Sequence, residues 1–123
     1  MTKSVSHGRH STTLRLTKLL ATNLVDIAGV VIRPPEFRQT PAGVPLLQMI
    51  LEHSSTKTEA GLARKNKLRI RVFMIGEAVT AEQGRLKAGS KIRVSGFLDE
   101  QRFMSADPRI VIHANNIEHL IDR

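Results

Sequence analysis

The stretch Lys67-Leu68-Arg69-Ile70-Arg71-Val72-Phe73-Met74 alternates without a break. In an extended chain, successive side chains point to opposite faces. Leu68, Ile70, Val72 and Met74 therefore share one face, and Lys67, Arg69, Arg71 and Phe73 share the other. The apolar set predicts a half-buried strand over a core. The opposite set is a stripe of three cations ending in a phenylalanine. No acidic residue falls between Glu59 and Glu77. Like charges on one face repel, so the stripe points to an anionic partner, with a simply solvated sheet face as the competing explanation. Same-face residues recur about every 6.6–6.9 Å, comparable to the phosphate spacing of an extended single strand. Arg64, just upstream, is counted with Lys67, Arg69 and Arg71 as a candidate contact.

Working outward, the flanking segments also read as short strands. Asn23 to Arg33 places Val25, Ile27, Gly29 and Val31 on one face and Asp26 on the other, and its central glycine predicts a bulge or sharp bend. Pro34-Pro35 ends that strand, and Glu36 to Gly43 is expected to be a loop. Val44 to His53 is a second strand, Ser54 to Lys65 a polar connection, and Lys67 to Met74 the third strand. Gly76 to Leu86 reads as a short helix or turn. Gly89 to Leu98 is a fourth strand with Ile92, Val94 and Gly96 inward. Asp99 to Arg109 is a loop, and Ile110 to Ile121 supplies the last strand. Five short strands with a helical insert after the third predict an all-β fold, the five-stranded Greek-key barrel of the OB-fold. Its strand 2–3 face and two long loops bind oligonucleotides.

At 123 residues and 13.7 kDa, the chain is the size of one domain. The absence of cysteine excludes disulfides, thiol nucleophiles and thiolate metal sites. Nineteen Lys+Arg against eleven Asp+Glu give a net charge of +8, which suits a polyanion. The aromatics are four phenylalanines, too few for a reader built on several stacked rings. The longest aliphatic runs are far shorter than the roughly 20 residues of a spanning helix. A soluble, cytoplasmic protein is expected. Residues 1–21 carry Lys3, Arg9, Arg15 and Lys18 and no acid. They are expected to form a basic N-terminal arm with a short helical turn around Leu16, Leu19 and Leu20, ahead of a single OB-fold domain over residues 22–123. The arm is either a solvated tail or a source of sequence-independent phosphate contacts.

The loop from Asp99 to Arg109 combines Arg102, Phe103 and Arg109, a ring able to stack on a base beside two phosphate-binding cations. Phe103 folded back on the barrel is the alternative. Phe37 beside Arg38 carries the same two options, whereas Phe73 and Phe97, inside strands, are expected in the core. The histidines have no metal spacing with a carboxylate in a rigid element. No Walker loop or nucleophile elbow is present, and the acids form no pair suited to general acid–base work. A non-enzymatic binding protein without cofactors is expected. An RNA-binding or ribosome-associated module, or a protein–protein adaptor, would fit the same composition.

The segments Asn23-Leu-Val-Asp-Ile-Ala-Gly29, Thr40-Pro-Ala-Gly-Val-Pro45, Leu51-Glu-His-Ser-Ser55 and Glu59-Ala-Gly61 make the match specific. With Gly89-Ser90, Gly96-Phe97, Ile112-His-Ala114 and Ile117-Glu118, they resemble the primosomal replication protein N family, PriB, over about residues 22 to 122. That family is similar in fold to single-stranded DNA-binding protein. The resemblance implies a homodimer of OB-folds that binds single-stranded DNA in replication restart, stabilises the restart helicase PriA and helps recruit DnaT. It places the family's basic loop positions on Arg38, Arg102 and Arg109. A further basic position falls on Met104, and another on Ser54. The family's stacking tryptophan falls on Lys67, implying that Lys67, Arg69 and Arg71 replace stacking with charge.

Overall fold

Residues 13–101 and 109–121 are described by the computed structural model of this chain. Among them, helix α1 (residues 13–20) precedes strands β1 (Val25–Val31), β2 (Glu36–Gln39), β3 (Pro45–Glu59) and β4 (Leu62–Ile75). Helix α2 (Ala78–Glu82), β5 (Lys91–Gln101) and β6 (Arg109–His119) follow. The strands run β1-β5-β6-β4-β3 and close back onto β1 through Val30↔Glu52 and Val31↔Leu51. All pairings are antiparallel except β4 with β6, which meet in parallel at Val72↔Ile112 and Phe73↔His113. β2 continues along the edge of β3 that β1 leaves, from Glu36↔Gln48 to Gln39↔Pro45. β1 and β2 thus act as two halves of one bent strand, broken at Pro34-Pro35. The ring is the expected five-stranded OB barrel with a helix between its third and fourth strands.

Closure requires β1 and β3 to cross closely, and Gly29 permits it. A Cβ there would collide with the main-chain carbonyl of Glu52 and lie 3.1 Å from Leu51 Cγ. Val31, Leu47, Leu51, Val72, Ile92, Val94 and Ile112 fill the interior and are fully covered. α2 packs against β3 and β4 and adds Val79 to this core. The buried Glu82 side chain at its end accepts a hydrogen bond from His119 Nε2 at 2.6 Å, so this polar group has a partner. Upstream of β1, the Asn23 amide bridges to β5. Its Nδ2 donates to the Leu98 carbonyl at 2.8 Å, and its Oδ1 accepts from the Leu98 N–H at 2.9 Å.

Several sequence expectations need correction. Ser54 to Lys65 is no loop: β3 and β4 run on as one hairpin to a tight turn at Ala60 (φ 49°) and Gly61 (φ 76°). Positive φ at both turn residues matches the right-handed strand twist. Beyond the barrel both hairpin faces are exposed, so no apolar alternation marks them. The segment Glu36 to Gly43 likewise contains β2, a strand too short to carry a pattern. β5 extends to Gln101, and Arg109 opens β6 instead of ending a loop. Phe97 is not a core residue; it is 39% exposed. Phe73 is buried, yet on the outer face: its ring stacks on His113 at 5.8 Å, and Phe97 stacks on the same imidazole at 5.2 Å.

Candidate nucleic-acid interface

β3 and β4 stay paired along their whole length, so their outer faces share rows of side chains. Glu52 lies opposite Arg69, Ile50 opposite Arg71, and Ser54 opposite Lys67. The cation stripe is therefore real, but it is not free of acid. The Glu52 carboxylate, three-quarters covered, accepts from Arg69 Nε at 2.8 Å and lies 3.9 Å from Lys67 Nζ. Sequence distance hid this neighbour, because the hairpin brings it from across the turn. Arg71 is half-buried and makes no hydrogen bond or ion pair among the described residues.

Beyond Val72↔Ile112 no pairing of β4 with β6 continues toward Arg109, and a groove opens there. Its cavity of about 380 Å³ is bordered by Arg33, Arg69, Arg71 and Arg109, with Gln101 at the rim. Ile32, Ile50, Ile70, Ile110 and Val111 supply the apolar lining. A smaller hollow continues past Arg33 and Arg71 to Pro34, Glu36 and Gln48. The groove thus lies across the β3–β4 face, from the β1–β2 link to the start of β6. A narrow apolar floor between guanidiniums can cover bases while phosphates meet charge.

The candidate residues separate accordingly. Arg69, Arg71 and Arg109 converge on the cavity. Lys67 stands beside it, mostly exposed and close to Glu52. Arg64 lies toward the hairpin tip, held by Glu59 at 3.2 Å. Arg38 is bound by Glu36 at 2.6 Å on β2. Phe37 packs against the core, which resolves its two options in favour of packing. Arg102 and Phe103 lie outside the described residues. Arg33 was missed, and its signal was modest: a cation immediately before the Pro34-Pro35 break that ends the first strand.

The opposite face has a different electrostatic character. Arg93 on β5 donates from Nε to Asp26 Oδ1 at 2.7 Å and lies 3.9 Å from Glu118. The hydrogen bond from Arg93 holds the Asp26 carboxyl below its ordinary range and pushes the guanidinium up. This arginine is neutralised by two acids, whereas Arg33, Arg71 and Arg109 have no partner among the described residues. Three guanidiniums without an acidic partner among the described residues therefore border the groove.

Comparison with known proteins agrees with the fold. The family described as "Another single-strand binding protein family" matches residues 23–116. The replication restart protein PriB of Shewanella halifaxensis is 36% identical over 99 residues, 80% of this chain and 97% of that protein. The chain belongs to the PriB family. PriB of Proteus mirabilis is 34% identical over 103 residues, covering 84% of this chain and 97% of its own. The solved PriB of Ralstonia solanacearum superposes with a TM-score of 0.67 at 25% identity, spanning 80% of this chain and 99% of that one. A small single-stranded DNA-binding protein from Streptomyces coelicolor shares the fold, with a TM-score of 0.66 at 20% identity over 81% of this chain and 95% of its own. The single-strand binding family match begins at Asn23, the residue bridged to Leu98, and leaves α1 outside it. Among the described residues, no helix is long and apolar enough to cross a membrane.

Proposed function

We propose that this chain is a non-catalytic, cytoplasmic subunit of the replication restart machinery that holds single-stranded DNA in the arginine groove. The observation that carries it is the set of guanidiniums without a partner among the described residues, Arg33, Arg71 and Arg109, around an apolar floor on the β3–β4 face. Relatives that share most of the chain are named replication restart proteins. The family resemblance extends the role to stabilising the helicase PriA on DNA and assisting DnaT. Arg102 and Phe103, next in sequence after the groove residue Gln101, add a phosphate contact and a stacked ring. Residues 1–21 add phosphate contacts without base preference. The protein acts as a homodimer: β1 pairs with β3 only at Val30 and Val31, so the rest of that edge is open to a second copy. Sedimentation equilibrium should then report about twice 13.7 kDa.

The decisive assay is a salt titration with fluorescent oligo(dT), with duplex DNA and structured RNA as competitors. Three phosphate contacts give a slope near −2, an affinity loss of about 20-fold between 50 and 200 mM salt. Arg33→Glu combined with Arg71→Glu should abolish most binding while circular dichroism stays unchanged. Full binding by that variant would remove the groove from the DNA path.

A further inference from the structure

The cavity beside Arg71 is concave, whereas a phosphate track requires only a charged surface. A row of phosphates needs spaced cations on a surface, and the exposed side of the β3–β4 hairpin already supplies those in Lys65 and Lys67. Here, instead, half-buried Ile32, Ile50 and Ile70 and fully covered Val111 line a concave volume of about 380 Å³. That lies at the small end of the range for small-molecule sites, about 300–1,000 Å³. Isoleucine side chains offer no hydrogen bond to a phosphate, so this floor suits the flat, apolar face of a base. The rim is the reverse. Arg33, Arg71 and Arg109 have no protein partner among the described residues, while Arg69 is held by Glu52. Guanidiniums bind phosphate oxygens in pairs and also stack on planar rings, so both parts of a nucleotide find a match.

We propose that the cavity is a single-nucleotide pocket, seating one base against the isoleucine floor and its phosphates on Arg33, Arg71 and Arg109, so that a free nucleoside triphosphate occupies it in competition with a strand. The inference rests on the groove being the strand's path and sharpens it, because a surface track would recognise charge alone. Among the described residues, Gln101 is the one neutral hydrogen-bonding side chain lining the pocket, so discrimination among bases by these residues is weak. The four deoxynucleoside triphosphates should compete within about threefold of one another.

The test displaces fluorescent oligo(dT) from the full-length protein with dTTP or inorganic tripolyphosphate at matched ionic strength, and measures direct dTTP binding by calorimetry. The expected result is that dTTP competes at concentrations at least tenfold lower than tripolyphosphate. Ile110→Asn should erase that advantage and leave tripolyphosphate unchanged; Ile110 is 57% exposed, so the substitution spares the core. Arg33→Ala should weaken both competitors. Equal competition by dTTP and tripolyphosphate, or an unaltered dTTP advantage in Ile110→Asn, would overturn the pocket while leaving oligo(dT) binding intact. Calorimetric dTTP binding without oligo(dT) binding would instead retain the pocket and overturn the strand path.

Discussion

Glu52→Gln should raise affinity for single-stranded DNA. In the free protein the Glu52 carboxylate occupies Arg69 at 2.8 Å and draws Lys67 to 3.9 Å, so it competes with phosphate for both cations. A phosphate on the far side of the Arg69 guanidinium would lie about 6 Å from that carboxylate. Removing one like charge at this distance contributes about 0.7 kcal/mol even at the dielectric of water, roughly a threefold tighter Kd. If both released cations then engage phosphates, the salt slope steepens by about 0.7 for each. Each added contact therefore loses a further ~2.6-fold between 50 and 200 mM salt. The gain should be largest at low salt. Both cations are mostly exposed, so losing the pairs should cost the fold no more than about 1 kcal/mol. Fluorescence anisotropy with labelled oligo(dT) across a salt series checks this, alongside denaturant unfolding. Unchanged or weaker binding at 50 mM, with the fold intact, would refute the competition and remove Lys67 and Arg69 from the binding surface.

Gly29→Ala should destabilise the barrel by about 2–4 kcal/mol, since the added methyl meets the Glu52 carbonyl where β1 and β3 cross; a denaturation midpoint equal to wild type would show that the crossing relaxes freely. Asn23→Ala should lose about 1–2 kcal/mol, two hydrogen bonds to Leu98, in the same measurement. Asp26 should titrate by NMR below the usual carboxylate range and return to it in Arg93→Gln. Because its folded pKa is depressed, the stability this pair contributes is complete above about pH 4 and lost as pH falls through the folded pKa. An Asp26 midpoint that ignores the Arg93 substitution would remove the pair as the cause.

Where one face of a strand meets the core, its pattern was plain in the sequence: Leu68 to Met74, Val25 to Val31 and Ile92 to Gly96 each keep the faces assigned to them. Legibility failed where no face is buried. Residues 54–66 belong to a hairpin projecting past the barrel, and without an apolar stripe they resemble a polar linker. Phe73 and Phe97 show another limit. Period-two alternation puts Phe73 on the cationic face, yet His113 from β6 covers it, and only the parallel β4–β6 pairing reveals that cover. The candidate site was half visible. Arg69 and Arg71 stand out along one strand, but Arg33, Arg109 and the isoleucine floor come together only because closure brings the β1–β2 link over β4 and β6. Glu52 escaped for the same reason.

The Asn23 amide bears on how the barrel tolerates what precedes it. Its two hydrogen bonds moor the chain to Leu98 on β5 immediately before β1 begins. A pull on the preceding segment would meet these two hydrogen bonds before it reached the β1–β5 ladder, which begins at Val25↔Gly96. One side chain thus marks the point at which a load on the leading segment would first meet the sheet.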